Sequence, residues 1–190
     1  GFFRTMIFLP CTTSLVAYAI IFRSLFANDG LVNYVLVNLG ILDKPYNFLT
    51  QPFAAKVVII LALLWRWTGY NMVFFLSGLQ NIEYSVYEAA KIDGASAIQT
   101  FFKITVPLLK PTILLTAIMS TNGTLQLFDE SINLTDGGPA NASISMSHYI
   151  YNLCFKYVPN FGYAAAMSFF ILLLVAVLAF IQMRVGDKRD

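Results

Sequence analysis

The sequence has little charge and few polar side chains for its length. Of its 190 residues, 12% are charged and 58% are hydrophobic, whereas soluble domains average about 25% charged and about 45–50% apolar residues. These proportions disfavour a soluble globular domain and exclude an intrinsically disordered chain. The mean hydropathy of +0.69 favours a protein surrounded mostly by lipid.

The residues that build metal and redox sites are also scarce. There is one histidine, His148, and the two cysteines, Cys11 and Cys154, are far apart in the sequence, so neither a zinc site nor a disulfide framework is expected. The net charge of +2 is too small and too dispersed for a nucleic-acid partner. We therefore predict no catalytic residue, no metal site and no cofactor, because a membrane enzyme would need acid, base or metal groups that converge.

Four apolar windows are long enough to cross a bilayer, which takes roughly 20 residues. We predict an all-α, polytopic transmembrane helical bundle in which residues 1–190 form a single transmembrane domain. The predicted spans are about Thr5–Ala27, Phe53–Leu79, Thr112–Asp129 and Tyr163–Met183.

An even number of spans places both ends of the chain on one side of the membrane. Basic residues mark the cytoplasmic side, and seven of them lie on the side of the chain ends, against about four on the other side. The seven are Arg4, Lys91, Lys103, Lys110, Arg184, Lys188 and Arg189. This bias predicts that the loop of about residues 80–111 and the C-terminal tail are cytoplasmic.

That loop has the most informative pattern in the chain. Tyr84–Ile92 predicts a short helix, which Gly94 ends by supplying the backbone geometry of a helix stop. Ala95–Ile104 predicts a second short helix, which Pro107 and Pro111 stop before the third span begins. The second helix carries an apolar stripe on a cytoplasmic surface, and an exposed stripe of this kind indicates a docking site.

The same loop resembles the EAA loop of bacterial ABC-importer permeases. The residues that match its fixed spacing are Glu88, Ala89, Ala90, Asp93, Gly94, Ile104 and Pro107. Val106 stands where that family usually has leucine. The resemblance implies that these residues couple the chain to an ATP-binding subunit, since the sequence has no G-x-x-x-x-G-K-[ST] phosphate loop of its own. The alternative for this loop is an amphipathic segment that lies on the membrane surface.

A wider resemblance, from about residue 3 to about residue 185, is to the carbohydrate-uptake permeases that include the maltose and multiple-sugar systems. The matching pieces include Phe3-Arg4-Thr5, Leu79-Gln80, Leu134-Thr135-Asp136-Gly137-Gly138-Pro139 and Gly162-Tyr163-Ala164-Ala165-Ala166. The resemblance implies the permease core of an ABC type I importer, with about two further spans before the first one here. It also implies a bacterial plasma-membrane location, a second permease subunit, an extracellular or periplasmic solute-binding protein and a sugar substrate.

Polar residues inside the second and third spans indicate a solute path, because such residues normally face protein or water. Helical spacing places Trp65, Thr68, Gly69 and Met72 on one face of the second span, and Ser120, Gly123 and Thr124 on one face of the third. By resemblance these positions match the solute site of the maltose permease, although Trp65, Met72 and Gly123 differ from its residues. Small and hydroxyl residues also serve as helix-packing positions.

Three further points remain open at the level of sequence. Arg66 lies in the second span, and no acidic residue in the other spans is predicted at its depth. Asn122 and Gln126 lie on another face of the third span, where contact with a partner permease is equally expected. A permease for peptides, amino acids or glycerol phosphate, an unrelated membrane enzyme, and a channel are the alternative functions, although no filter motif of a channel is visible.

Overall fold

A computed structural model describes residues 2–186, which are almost entirely helical and contain no strand. The all-α prediction is therefore confirmed for this part of the chain. Its helices are α1 Phe2–Thr12, α2 Leu15–Leu25, α3 Leu31–Asn38, α4 Pro52–Gln80, α5 Tyr84–Ile92, α6 Ala97–Thr100, α7 Val106–Leu108, α8 Lys110–Leu125, α9 Met146–Tyr151 and α10 Phe161–Gly186. Three π-helical turns lie between them, at Phe101–Thr105, Ser131–Thr135 and Asn152–Lys156.

Two of the predicted spans are uninterrupted helices. α4 has 29 residues and α10 has 26, and both are long and apolar enough to cross a membrane. α4 starts with a proline in its first turn, where the missing N–H has no helical partner to lose. Ala164 and Ile171 are the buried residues of α10, so most of this helix presents its apolar side chains outward.

The prediction of one continuous helix over Thr5–Ala27 is wrong. The chain bends by 102° between α1 and α2. Pro10 lies inside α1 and contributes no N–H to its hydrogen bonds. Ser14 then starts a new helix, since its hydroxyl accepts a hydrogen bond of 3.1 Å from the N–H of Ala17.

The predicted bounds of the third span, Thr112–Asp129, are also wrong. α8 begins at Lys110, with Pro111 in its first turn, and ends at Leu125. The N–H of Gln126 bonds back to the carbonyl of Asn122 at 3.1 Å, and the chain then leaves the helix. At its other end α8 is bent by 65° from the helical segment Ala97–Leu108.

Side-chain contacts give the directions of the helices. Gly78 near the end of α4 lies against Leu109 and Thr112 at the start of α8, and Asn71 Nδ2 donates to Ser120 Oγ at 3.4 Å further along. α8 therefore runs antiparallel to α4. The amide of Gln182 in α10 donates to the hydroxyl of Thr121 in α8 at 2.8 Å.

The start of α1, the end of α10 and the loop of about residues 80–111 accordingly share one end of the bundle. A groove at that end is lined by Arg4 of α1 and Gln80 of α4, and Gly186 of α10 lies against Leu114 of α8. This arrangement agrees with the sidedness predicted from the basic residues, while its assignment to the cytoplasm stays a prediction. Lys188 and Arg189, which contributed to that prediction, lie outside the described residues.

The hydrophobic core lies at the opposite half of the bundle, where α2 crosses α4. Its buried members are Tyr18, Ala19, Phe22, Val58, Ile59, Ala62 and Leu134. Leu134 belongs to the π-helical turn Ser131–Thr135, so the segment after α8 packs back onto α2 and α4. This return brings polar residues of that segment close to the middle of α4.

Candidate functional site

The turn between α5 and α6 is a helix-ending motif built on Gly94. The N–H of Gly94 bonds to the carbonyl of Lys91 at 3.2 Å, and the N–H of Ala95 bonds to the carbonyl of Ala90 at 3.0 Å. This pair of bonds is the Schellman motif, and Gly94 has the φ of +74° that it requires. The predicted helix Tyr84–Ile92 and its stop at Gly94 are therefore confirmed.

The second helix of this segment starts with a capping box. The Ser96 hydroxyl accepts from the N–H of Gln99 at 3.3 Å, and the Gln99 side chain accepts from the N–H of Ser96 at 2.8 Å. The predicted stop at Pro107 and Pro111 falls between these two prolines, where a bend of 65° separates the segment from α8. Helical structure continues to Leu108, because Pro107 lies in the first turn of α7, where proline is tolerated.

The segment presents a mixed polar and apolar surface at the end of the bundle. Glu88, Ala89, Asp93, Gly94 and Pro107 are exposed, Ile104 is half-buried and Ala90 is buried. The exposed apolar side chains beside them are Tyr84, Ile92, Ile98, Phe101 and Phe102. Within residues 2–186 no packing partner covers these apolar side chains, and such a surface is typical of a docking site.

A contact between two hydroxyl groups ties the two halves of the segment together. The hydroxyl groups of Tyr87 in α5 and Thr105 in the π-helical turn lie 3.2 Å apart. Helical spacing predicts that Thr105 shares the apolar stripe with Ile98, Phe101 and Phe102, but Thr105 is buried whereas those three side chains are exposed. α5 is therefore held to the turn that leads through α7 into α8.

The second candidate site lies at the middle of α4, around Arg66. Arg66 is 14 residues from either end of Pro52–Gln80, which is about 21 Å along the helix from each end. The break between α1 and α2 lies at this depth, since the thiol of Cys11 donates to the carbonyl of Arg66 at 3.0 Å. The end of α8 lies there too, since Gly123 packs against the ring of Trp67.

A cavity of about 430 Å³ opens between these helix breaks. Its lining is aromatic, charged and amide in character: Cys11, Leu15, Arg66, Trp67, Tyr70, Gly123, Gln126, Leu127, Phe128, Asp129 and Glu130. Five of these residues are the consecutive stretch Gln126–Glu130 that follows α8. Irregular backbone at membrane depth is tolerated only where it is buried in protein or lines a water-filled cavity.

Arg66 is paired across this cavity. Its Nη1 lies 3.6 Å from Oε1 of Glu130, whose residue is 5% exposed, and its guanidinium lies 5.6 Å from the ring centroid of Tyr18. The partner of Arg66, which the sequence left open, is therefore Glu130, a residue outside the predicted spans. The reason is that α8 ends at Leu125, so the chain returns and carries Glu130 to the middle of α4.

The residues predicted to line a solute site do not converge. Thr68, Ser120 and Thr124 line a cleft of about 200 Å³ between α4 and α8, where Thr68 and Thr124 bond to carbonyls of their own helices, Leu64 and Ser120. Gly123 lines the cavity at Arg66 instead.

The other three predicted solute residues face α1 and α2. Trp65 stacks on Tyr18 with ring centroids 6.4 Å apart, and Met72 lines the groove shared with Arg4. Gly69 is buried against the backbone of Ile7, where a side chain has no space. The sequence signal that could have found the cavity is the polar stretch Gln126–Glu130 directly after an apolar span.

A buried polar network stabilises the segment beyond Glu130. Ser131 donates its hydroxyl proton to the carbonyl of Ser143 at 2.8 Å, and Nδ1 of His148 lies 2.8 Å from the same hydroxyl oxygen. We therefore assign the imidazole proton to Nδ1, since Ser131 has already used its own. Burial lowers the pKa of His148, although the carboxylate of Asp136, 3.7 Å from Nε2, acts in the opposite direction.

The same carboxylate also holds Lys156. The amino group of Lys156 donates to Oδ1 of Asp136 at 2.8 Å, and this hydrogen bond raises the pKa of Lys156. Asp136 has a φ of +48°, a left-handed conformation that aspartate tolerates better than most residues. The segment Ser131–Lys156 is thus closed by polar contacts at both ends.

Comparison with known proteins gives one family and several close relatives. A family model described as "Binding-protein-dependent transport system inner membrane component" matches residues 1–189. The lactose transport system permease protein LacF of Rhizobium radiobacter is 57% identical over 191 residues, which cover 100% of this chain and 64% of LacF.

Solved structures also resemble the chain. One is a bacterial ABC transporter involved in the import of the acidic polysaccharide alginate, with a TM-score of 0.86, 25% identity, and coverage of 98% of this chain and 65% of that one. Another is a bacterial alginate ABC transporter in complex with an alginate pentasaccharide-bound periplasmic protein, with a TM-score of 0.76, 27% identity, and coverage of 97% and 62%. The chain thus spans less than two thirds of the length of these proteins.

Proposed function

Because the chain belongs to the family of binding-protein-dependent transport system inner membrane components, we propose that it is a membrane-spanning subunit of an ATP-driven sugar importer. It translocates a sugar or oligosaccharide across the bacterial plasma membrane while a separate subunit hydrolyses ATP. A second permease subunit completes the path, and a binding protein outside the membrane delivers the solute.

The exposed segment of α5, the Gly94 turn and α6 supports this proposal most directly. The chain has no phosphate-binding loop, so ATP-driven motion has to enter through a docking surface. Glu88 and Asp93 are exposed beside the uncovered apolar side chains of Ile92 and Ile98. A surface with an apolar centre and charged neighbours suits a groove on a protein partner.

Motion of the docked segment reaches the membrane through short connections. Tyr87 contacts Thr105, and only Leu109 separates α7 from α8. α8 in turn contributes Gly123 to the cavity at Arg66. A rigid helix that moves with the ATPase therefore shifts one wall of this cavity, which is the bistable behaviour that alternating access requires.

Sugar is the solute class that the relatives favour. LacF is described as a lactose transport system permease protein, and the two solved structures are described as ABC transporters for alginate. The cavity at Arg66 contains the rings of Trp67, Tyr70 and Phe128, which suit the apolar faces of a sugar. Uptake of peptides, amino acids or glycerol phosphate in place of sugars would contradict this part of the proposal.

The coupling role is tested with two variants of the exposed segment, in the complete transporter with its ATPase and binding protein. Glu88→Lys and Gly94→Val are expected to abolish uptake of labelled sugar and to weaken co-purification of the ATPase, while the permease remains in the membrane. The matched controls lie in the segment between α3 and α4. Gly40→Val introduces the same strain, since Gly40 has a φ of +69° and open space around it, and Asp43→Lys reverses an exposed charge.

Normal uptake and co-purification in both coupling variants would overturn the proposed role of this segment. A loss of uptake in Gly40→Val equal to that in Gly94→Val would show that backbone strain alone, wherever it is placed, accounts for the defect.

A further inference from the structure

We propose that the cavity at Arg66 selects neutral over acidic saccharides, with the carboxylates of Asp129 and Glu130 opposing an acidic solute. This inference rests on the proposed function, because it concerns the solute that the permease carries. It assigns specificity to side chains that follow α8, outside the faces of α4 and α8 that helical spacing singled out.

The first observation is the coincidence of two helix breaks at one depth. α1 ends at Thr12 and α8 ends at Leu125, and residues beside both breaks line the cavity. Breaking a membrane-crossing helix frees backbone N–H and carbonyl groups, which need water, protein or solute as partners. Two breaks that face one cavity therefore indicate a hydrated chamber at the middle of the bundle.

The second observation is the charge of the lining. The cavity contains one cation, Arg66, and two carboxylates, Asp129 and Glu130, and its other lining residues are neutral. Because Arg66 already lies 3.6 Å from Glu130, its charge is largely offset. An acidic sugar entering this chamber meets the remaining negative charge in surroundings where electrostatic interactions are stronger than in bulk water.

The third observation is that the polar groups remain available to hydroxyls. The distance of 3.6 Å between Arg66 and Glu130 is longer than a hydrogen bond, so a hydroxyl or a water molecule can bridge the two. Carboxylates accept hydrogen bonds from hydroxyls, and the amide of Gln126 can both donate and accept. The aromatic rings complete a lining that matches a neutral sugar and disfavours a uronate.

The native thiol of Cys11 offers a direct probe, because it lines this cavity. The test uses the assembled transporter with Cys154→Ser, in a background without reactive cysteine outside these 190 residues, so that Cys11 is the remaining reactive thiol. The labelling rates of Cys11 are measured with cationic and anionic methanethiosulfonates of similar size. Each rate is divided by the rate of the same reagent with a small free thiol in solution. We expect the normalised rate to be several-fold higher for the cationic reagent, and Asp129→Asn to reduce that ratio.

Sugar selectivity is measured by protection of Cys11. The probes are matched methyl glycosides of galactose and galacturonate, glucose and glucuronate, and mannose and mannuronate. At least one neutral member is expected to slow labelling at a concentration about tenfold below that of its acidic partner. Asp129→Asn and the double variant Asp129→Asn/Glu130→Gln are expected to narrow this difference, whereas the control Asp29→Asn, in the loop after α2, leaves it unchanged.

Equal or stronger protection by the acidic sugars would overturn the inference. So would an unchanged selectivity in Asp129→Asn, which keeps the Arg66–Glu130 pair and therefore the local packing. ATP-driven sugar uptake is measured on the same preparations. Normal uptake without selective protection refutes this inference alone, whereas the absence of uptake for every sugar refutes the proposed function as well.

Discussion

Gly69 of α4 lies against the carbonyl oxygen of Ile7 in α1 so closely that no side chain fits between the two backbones. This contact allows α1 to lie along α4, with Arg4 near Gln80 at one end and Cys11 at Arg66 further along. Small residues at helix crossings serve this purpose in membranes, where close van der Waals packing is a main source of helix association.

Gly69→Ala is therefore expected to push α1 away from α4. Overpacking of this kind costs about 1–3 kcal/mol, because the colliding atom belongs to the backbone and has no rotamer through which to escape. The matched control is Gly78→Ala, whose added methyl meets only the side-chain ends of Leu109 and Thr112. The melting temperature in detergent should fall clearly in Gly69→Ala and by a smaller amount in Gly78→Ala. The reverse order would contradict the role of this helix crossing.

Removing one partner of the Arg66–Glu130 pair should destabilise the protein more than removing both. Arg66→Leu leaves Glu130, 5% exposed, without its cation, and an unpaired buried polar group costs about 1–3 kcal/mol or more when charged. The double variant Arg66→Leu/Glu130→Leu should recover much of that loss. A double-mutant cycle of melting temperatures measures the coupling, and strictly additive single effects would show that the pair contributes nothing.

The effect of replacing Gly94 on sugar uptake should depend on how readily the new residue adopts a left-handed backbone conformation. The reason is that a Cβ at this position meets nothing within 4 Å. A left-handed conformation costs most L-residues about 1–2 kcal/mol, whereas asparagine adopts it more readily. Sugar uptake should therefore fall in the order Gly94, Gly94→Asn, Gly94→Val. If Gly94→Asn and Gly94→Val were equally defective, the cause would be contact with the docked partner and not backbone strain.

Lowering the pH should reduce the stability of the segment Ser131–Lys156, in which His148 bonds to Ser131. Burial lowers the pKa of His148 in the fold, so below the unfolded value of about 6.5 the unfolded chain takes up a proton that the folded chain resists. The contribution of His148 to the free energy of unfolding is fully present above that pH. It is lost as the pH falls through the lower pKa that His148 has in the folded state.

The measurement for His148 is the melting temperature in detergent at pH 7.5 and at lower pH. The native protein should lose more stability on acidification than His148→Gln, which has no imidazole to protonate. Both proteins keep the ion pair between Asp136 and Lys156, so the contribution of that pair by itself is common to the two. An identical pH dependence in the two proteins would rule out His148 as the titrating group.

Local patterns predicted local structure well. The apolar run that became α4 differs from its predicted bounds by one residue at each end, and the helix over Tyr84–Ile92 has the predicted bounds. Both depend on interactions within the segment, such as a proline in the first turn and a glycine at the stop. The two helix breaks escaped prediction because hydropathy counts apolar side chains and is insensitive to a backbone that changes direction.

The solute positions illustrate the same limit at the level of tertiary structure. Helical spacing places Trp65, Thr68, Gly69 and Met72 on one face of α4. Three of them share the face toward α1 and α2, whereas Thr68 lies in the cleft toward α8. The spacing carries no information on what covers the face of these three residues, and here α1 and α2 do so. The partner of Arg66 could be found only after α8 was known to end at Leu125, since an unbroken helix would have carried Glu130 away from it.

The two uninterrupted helices make the molecule sensitive to bilayer thickness. With 29 and 26 residues, α4 and α10 are about 44 and 39 Å long, whereas the hydrocarbon core measures about 30 Å. Both helices must tilt or extend beyond the core, whereas α1 and α2 can change the angle of the bend between them. A thinner bilayer is therefore expected to increase the part of α4 and α10 that tilts or extends beyond the hydrocarbon core, within the limits that packing against neighbouring helices allows.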